Sequence, residues 1–190
     1  MLYTRKGDSG TTKLFNCAVG VRVAKSNFIF EALGALDELN SVLGYAKALC
    51  KKAGIVVFTG ERRIHYDEIL HIFQEGLFLA QAELGGSPVR IKKTDVLFLE
   101  KIIFEIETML PPIKSFIVPG GGEAGSYLDI ARTIARRAER QIVSLGSGKE
   151  NCVEDCTLQF LNRLSSALYA LARFANYQEG YLERKPEYKC

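Results

Sequence analysis

The sequence lacks the long apolar segments of membrane proteins and the sorting signals of exported ones. No run approaches the ~20 apolar residues that a membrane-spanning helix needs. The N-terminus has neither a charged-then-apolar signal segment nor an Arg-rich presequence. The five cysteines are an odd number without framework spacing, which favours reduced thiols in a cytosolic protein. We therefore expect a cytoplasmic protein that does not bind a membrane.

Histidines are also scarce, which argues against several kinds of active site. Of the two histidines, His71 follows Glu68 at the Glu-x-x-His spacing of di-iron bundles, but His65 has no glutamate three residues before it. Neither histidine lies near a glycine-flanked serine or cysteine, so no hydrolytic triad is indicated. The Gly-x-x-x-x-Gly-Lys-Ser/Thr loop of common nucleotide-binding folds is absent. Cys152 and Cys156 are four residues apart, but no second pair completes a zinc site.

What the sequence does contain is helical periodicity over almost its whole length. The 190 residues suit a single domain, and apolar residues recur at spacings of three and four in five segments. Thr94 is predicted to cap the third helix, which Pro111 and Pro112 end. The predicted helices cover 28 to about 51, 67–84, 94–110, about 123–145 and about 155–177. Such segments predict an all-α, up-and-down five-helix bundle, with minor β structure at 55–58 and in the first residues.

The segment before the first helix has little to bury. Residues 3–12 read YTRKGDSGTT, with two glycines, several hydroxyl side chains and only one large apolar group. One interpretation is a frayed terminus. The other is a loop that binds a ligand rich in oxygen atoms, because glycines let successive backbone amides approach an anion.

The fourth helix carries a row of arginines. Arg132, Arg136 and Arg140 recur every four residues and so share one face. The row is either a solvated face on which Glu139 partly neutralises Arg136 and its neighbour, or an anion site, since guanidinium groups match phosphate oxygens. Spacing alone does not separate these interpretations.

The fifth helix has a polar row opposite its leucine stripe. Surface helices usually fill such a row with lysine and glutamate, which are better helix formers than asparagine. A hydrogen-bonding role is therefore favoured, with a plain surface as the alternative. The row consists of Asn162, Ser166, Tyr169, Arg173 and Asn176.

Six short motifs follow one another along the chain. They are 3–12 (YTRKGDSGTT), 22–25 (RVAK), 36–41 (LDELNS), 116–121 (FIVPGG), 131–140 (from ART to RRAER) and 160–165 (FLNRLS). Taken together, these motifs resemble the PduO-type ATP:cob(I)alamin adenosyltransferases. The resemblance extends from residue 3 to residue 176, and the order and spacing of the motifs fit throughout.

The resemblance implies a fold, a reaction and partners. It implies a five-helix bundle that assembles as a homotrimer with active sites between subunits. The reaction transfers the 5′-deoxyadenosyl group of ATP to the cobalt of reduced cobalamin and releases triphosphate, with Mg2+ on the triphosphate. A cobalamin reductase or a B12-dependent acceptor enzyme is a candidate partner, and no nucleic acid is implied. The single domain 1–190 would divide into an ATP-binding loop (1–27), the bundle (28–177) and a tail (178–190).

Site residues carry over position by position. Arg136 and Arg140 resemble the cations that meet the triphosphate, and Asp37 resembles the acid that pairs with Arg136 across the subunit boundary. Phe116 matches the aromatic residue that displaces the lower axial ligand of cobalamin, with Arg132 also on the cobalamin side. No protein ligand is assigned directly to the metal. The residues expected to contact ATP are Thr4, Arg5, Lys6, Gly7, Asp8, Gly10, Thr11, Thr12, Lys25, Arg136, Glu139, Arg140 and Asn162.

Some positions depart from the family pattern. Asn16 and Cys17 replace a usual glycine pair, Asp129 replaces a histidine, and Ser166 replaces an aspartate. These departures motivate an alternative function, a non-catalytic bundle that binds ATP or cobalamin as a sensor or partner-binding module. RNA binding by the arginine row is disfavoured, because Glu139 interrupts the row and no aromatic residues interleave with it.

Overall fold

In the computed structural model, five helices form the body of the protein and short strands lie outside it. The structure describes residues 3–60, 62–146 and 152–188. Outside the described residues lie residues 1–2 of the predicted loop and residues 189–190 of the predicted tail, which include Cys190. The helices are α1 (Phe28–Ala53), α2 (Tyr66–Leu84), α3 (Lys93–Met109), α4 (Glu123–Gly146) and α5 (Asp155–Gln178).

Helix ends follow local capping chemistry. The Asn27 side chain accepts a hydrogen bond from the Ile29 amide (3.1 Å) at the start of α1, and Gly54 ends that helix in the left-handed conformation (φ 68°). The prediction that Thr94 caps α3 is wrong. The helix begins at Lys93, because Asp95 accepts a hydrogen bond from the backbone amide of Lys92 (2.8 Å) and so fixes an earlier start.

Helix packing produces one continuous apolar core. α1 packs against α2 and α4, while α5 packs against α4 and α3. The apolar stripe of each helix is buried in this core, including Leu36, Phe73, Leu99, Leu128 and Leu168. Among the described residues, no helix combines the length and apolarity that crossing a membrane requires.

The strands form two small hairpins. β1 (Thr11–Thr12) pairs antiparallel with β2 (Val23–Ala24), and β3 (Val56–Thr59) pairs antiparallel with β4 (Arg62–His65). The prediction of a strand near 55–58 is confirmed by β3, whereas its partner β4 was not predicted. The second hairpin joins α1 to α2 and buries Val57 and Ile64 against the bundle.

Candidate functional site

The N-terminal segment is organised around one arginine. Arg22 donates from Nε to the Thr11 hydroxyl (2.8 Å) and from Nη2 to the carbonyl oxygens of Lys6 (2.7 Å) and Thr11 (2.8 Å). The Lys25 amide donates to the Gly10 carbonyl (2.8 Å). These bonds tie residues 6–11 to residues 22–25, so the segment has a defined structure and does not correspond to a frayed terminus.

Two glycines in this segment have separate reasons to be glycine. Gly10 has φ 73°, a conformation that side chains disfavour. At Gly7 an added Cβ would lie 3.1 Å from the Lys25 ammonium nitrogen. The bare backbone at Gly7 therefore leaves room for a cation directly beside the loop.

The predicted ATP-binding side chains of this loop lie at the protein surface. Thr4, Lys6 and Asp8 are exposed, and within the described chain none of the three has a side-chain hydrogen bond or ion pair. Arg5 stacks on the neighbouring Tyr3 ring (5.5 Å to the centroid). The loop thus presents hydroxyl groups, cations and one carboxylate to solvent on a backbone that is held from behind.

A second anchor fixes this segment to the bundle. The Phe15 amide donates to the Gly85 carbonyl at the end of α2 (2.8 Å). A Cβ on Gly86 would lie 2.4 Å from Asn16 Cγ, so this glycine makes room for the asparagine. The departure from the family pattern at Asn16 is therefore accommodated by packing and leaves the 4–12 loop intact.

The three arginines of the α4 row have different surroundings. Arg132 donates from Nε to Asp129 (2.9 Å) and its guanidinium lies 5.5 Å from the centroid of the Tyr169 ring. Arg136 and Arg140 are exposed, and in the part of the chain that the structure describes their side chains have no hydrogen bond or ion pair. Two cations on one face are thus left available for an anion.

One interpretation of the arginine row is a solvated face on which Glu139 partly neutralises Arg136 and Arg137, but within the described residues no hydrogen bond or ion pair joins Glu139 to either arginine. Glu139 instead accepts a hydrogen bond from the Asn162 amide nitrogen (2.9 Å). Arg137 points to α1, where it forms an ion pair with Glu38. Two predicted ATP-binding residues, Glu139 and Asn162, are therefore in contact, and the hydrogen bond of the Glu139 carboxylate is to Asn162.

Phe116 lies beside the arginine row. It belongs to the irregular segment between α3 and α4, and its side chain is 80% exposed. A cavity of about 610 Å³ is lined by Phe116, Arg132, Arg136 and Tyr169, together with Ser166 and neighbouring residues. The structure thus brings the two predicted cobalamin-side residues together with one predicted catalytic arginine.

A neighbouring cavity of about 760 Å³ shares Arg132 and Tyr169 with the first. It is also lined by Asp129, Arg173 and the tail residues that follow α5. Burial raises the pKa of Tyr169, and this residue lines both cavities. The tail residues 181–184 had no periodicity and no motif, so sequence reasoning missed them.

Asp37 does not meet Arg136 within one chain. It is exposed on α1, and among the described residues it has no hydrogen-bond or ion-pair partner. No hydrogen bond or ion pair within the described ranges joins the 4–12 loop to Arg136 or Arg140. Nor do the described residues include a group of three or more His, Cys, Asp or Glu side chains that could hold a metal ion. Within the described residues, the 4–12 loop, Asp37 and the two exposed arginines are therefore not joined to one another by hydrogen bonds or ion pairs.

These features define a helical bundle with a glycine- and threonine-rich loop, an aromatic-rimmed cavity and two exposed guanidinium groups that have no partner among the described residues. Residues 2–175 match the family model described as Cobalamin adenosyltransferase. The chain belongs to the cobalamin adenosyltransferase family.

Individual relatives agree with this assignment. The corrinoid adenosyltransferase PduO of Citrobacter freundii is 40% identical over 179 residues, which cover 90% of this chain and 49% of the relative. This chain therefore spans about half the length of that relative, and likewise of the PduO of Salmonella typhimurium (48%). The corrinoid adenosyltransferase of Bacillus subtilis (strain 168) is 38% identical over 184 residues, 94% of this chain and 88% of the relative.

A solved structure resembles the whole chain. It is a variant PduO-type ATP:corrinoid adenosyltransferase from Lactobacillus reuteri complexed with cobalamin and ATP. The TM-score is 0.84 at 32% identity, with 99% of this chain and 100% of that chain covered. The predicted bundle and family are thereby confirmed.

Proposed function

We propose that this protein transfers the 5′-deoxyadenosyl group of ATP to the cobalt of cob(I)alamin, giving adenosylcobalamin and triphosphate. The observation that carries the proposal is the meeting of Phe116, Arg132 and Arg136 at one cavity, in a chain of the cobalamin adenosyltransferase family. A similar structure holds both cobalamin and ATP, which supports the same pair of substrates here.

The chemistry requires little from the protein as a nucleophile. Cob(I) supplies the electron pair that forms the cobalt–carbon bond at C5′, the C5′–O bond breaks, and triphosphate leaves with that bonding pair. The protein must align C5′ with cobalt and stabilise the charge on the departing group. The described residues contain aligned cations and a polar loop for these tasks.

Roles follow from position and exposure. The 4–12 loop and Lys25 would bind the triphosphate through backbone amides, hydroxyl groups and charge. Arg136 and Arg140 would neutralise the leaving group, because their guanidinium groups are exposed and unpaired in the described chain. The contact of Asn162 with Glu139 would orient groups on the nucleotide side. Phe116 would lie against the lower face of the corrin.

Magnesium fits this site as an ion carried by the nucleotide. The described residues have no cluster of three metal-ligating side chains, and Asp8 is the one carboxylate in the 4–12 loop. Phosphate oxygens and water would hold the ion. Asp8 would lie in the same loop as the groups that bind the triphosphate. When bound, it would neutralise phosphate charge.

We also propose that the active site forms between subunits of a homotrimer. Asp37 of one subunit would meet Arg136 of the next, which would explain why both side chains are exposed and unpaired within the described part of one chain. The free thiols of Cys17, Cys50, Cys152 and Cys156 are consistent with a cytoplasmic location. A cobalamin reductase or a B12-dependent acceptor enzyme would then supply or receive the corrinoid.

The alternative, a non-catalytic binding bundle, is less well supported. It was motivated by the departures at Asp129 and Ser166. Asp129 bonds to Arg132 (2.9 Å) and Ser166 lines the cavity with Phe116, so both fit within a polar pocket wall.

The direct test is an assay with ATP, Mg2+ and chemically reduced cobalamin, followed by detection of adenosylcobalamin. Arg136→Ala should lower turnover by ~10²-fold or more, because a preorganised charge is lost. Arg137→Ala is the matched control, since Arg137 pairs with Glu38 within the chain. Bound ATP without product in the parent protein would contradict the proposed function. Turnover of Arg136→Ala within about threefold of an active parent would instead mean that the phosphate role of Arg136 is misassigned.

A further inference from the structure

The segment that carries Phe116 is irregular but is held at both ends by α5. Arg173 donates from Nη2 to the Pro111 carbonyl (3.0 Å) near the start of the segment. Asn176 accepts from the Gly122 amide (2.9 Å) and donates to the Gly120 carbonyl (3.0 Å) at its end. Because Arg173 and Asn176 are three residues apart on one helix, a single rigid element determines the spacing of the two ends.

The glycine turn at residues 120–122, together with Gly125 in the first turn of α4, leaves room for the Asn176 side chain. An added Cβ would lie 2.4 Å from Asn176 Oδ1 at Gly121 and 2.1 Å from it at Gly125. Gly121 also has φ 134°, which side chains rarely adopt. Both amide atoms of Asn176 are engaged, so the turn binds one orientation of one side chain.

The C-terminal tail that follows α5 contacts both Arg173 and the segment that carries Phe116. Glu183 accepts two hydrogen bonds from Arg173 (2.5 and 3.1 Å), and Arg173 is only 7% exposed. The Arg184 carbonyl accepts from the Val118 amide (2.8 Å), two residues after Phe116. The segment is therefore fixed before, after and beside an aromatic ring that itself is 80% exposed.

We propose that Arg173 and Asn176 are positioning residues that hold Phe116 at the corrinoid side of the site. The inference rests on the proposed function, because it assigns the fixed ring to the corrinoid substrate. Asn176 is the sharper test, since Arg173 is a buried charge whose loss also leaves Glu183 unpaired.

Two substitutions separate positioning from simple packing. Asn176→Ala removes both hydrogen bonds. Asn176→Asp preserves the size and the acceptor for the Gly122 amide, but places a carboxylate oxygen opposite the Gly120 carbonyl, where the present donor distance is 3.0 Å. Gln178→Ala is the matched control, because Gln178 donates from the same end of α5 to the Val56 carbonyl (3.0 Å), away from Phe116.

The measurements are KM for cob(I)alamin, KM for ATP, and amide hydrogen exchange of residues 111–122. We expect both Asn176 variants to raise KM for cob(I)alamin about tenfold, as the loss of two ordinary hydrogen bonds allows. KM for ATP should change less than about twofold, because the ATP loop is anchored to α2 rather than to α5. Exchange in 111–122 should accelerate in both Asn176 variants and remain unchanged in Gln178→Ala.

Different results would overturn different statements. If the parent makes no adenosylcobalamin, the proposed function is wrong. Separately, unchanged amide hydrogen exchange of residues 111–122 in the Asn176 variants would refute the claim that Asn176 holds this segment. If the parent is active but Asn176→Asp has the parental KM for cob(I)alamin, the positioning role is refuted. Equal increases of both KM values would also refute it, since they would indicate general damage.

Discussion

The start of α5 depends on a carboxylate from another helix, and this dependence gives a quantitative prediction. Glu83 of α2 is 5% exposed. It accepts a hydrogen bond from the Glu154 amide (2.6 Å) and another from the Thr157 hydroxyl (2.6 Å). The Glu154 side chain makes no cap of its own. Glu83 therefore satisfies amide and hydroxyl donors at the N-terminus of α5 and complements the positive end of its dipole.

Glu83→Ala should be severely destabilising. Hydrogen bonds to a charged group contribute about 1.5–3 kcal/mol each, and Thr157 is fully buried, so its hydroxyl would lose its partner. We expect a loss of about 3–4 kcal/mol in the free energy of unfolding. At about 2–4 °C per kcal/mol for a chain of this size, Tm should fall by roughly 6–16 °C.

Glu83→Gln should cost less, about 1–2 kcal/mol. The amide oxygen can still accept from the Glu154 amide, and the Thr157 hydroxyl can rotate to accept from the new NH2 group. The ion pair with Arg90 (3.4 Å) would be lost, but Arg90 is partly exposed, so that loss is small.

Urea unfolding followed by far-UV circular dichroism measures these differences, at one fixed protomer concentration because association stabilises the folded state. Thr157→Val completes a double-mutant cycle, in which the coupling energy with Glu83→Ala should exceed about 1 kcal/mol. A loss below about 1 kcal/mol for Glu83→Ala, or additive effects in the cycle, would refute the claim that Glu83 caps α5.

Three further outcomes are expected. If the proposed trimer forms through the Asp37–Arg136 contact, Asp37→Arg and Arg136→Asp should each weaken its assembly in sedimentation experiments, and together they should restore it; failure of the pair to reassociate would contradict the proposed contact. Burial raises the pKa of Cys50 from 9.0 to about 12, so deprotonation favours the unfolded state between these values. Stability should fall by up to about 1.4 kcal/mol per pH unit there, and a Cys50→Ala variant with the same slope would refute this. Gly76→Ala should cost about 1–3 kcal/mol in urea unfolding, because the new Cβ would lie 2.3 Å from Phe160 Cζ; unchanged stability would contradict the packing.

The helices could be predicted because each one buries a stripe that repeats along the chain. The predicted starts and ends of α1, α2, α4 and α5 fall within about two residues of those observed, since the periodic apolar residues stop where the core stops. β4 could not be predicted in the same way. Its four residues, RRIH, have one apolar side chain, and they form a strand because β3 pairs with them.

The α4 row illustrates what spacing can and cannot determine. Periodicity placed Arg132, Arg136 and Arg140 on one face, which required only helix geometry. Arg132 is paired by Asp129 three residues earlier on the same helix, whereas the partners of Arg137 and Glu139 come from other helices. Glu38 on α1 forms an ion pair with Arg137, and Asn162 on α5 donates a hydrogen bond to Glu139. Neither pairing follows from distance along the chain.

The α5 row was predicted to form hydrogen bonds, and the structure gives each bond a different purpose. Asn162 contacts Glu139, whereas Asn176 forms hydrogen bonds with the backbone of Gly120 and Gly122. Arg173 was expected in a polar row, yet it is buried against Glu183. The tail that supplies Glu183 has no regular secondary structure. A periodic pattern of apolar residues therefore could not predict the contact between Arg173 and Glu183.

The exposure of the candidate site in one chain has a physical consequence. Exposed, isolated arginines contribute little to the stability of a monomer, and Arg136 and Arg140 have no partner among the described residues of one chain. A guanidinium group gains most from a carboxylate or phosphate once water is excluded around it. One subunit leaves this face open to water, and Asp37 and most residues of the 4–12 loop are exposed as well. Assembly between subunits would bring these charges together and exclude water in the same step, so binding and catalysis should depend on association.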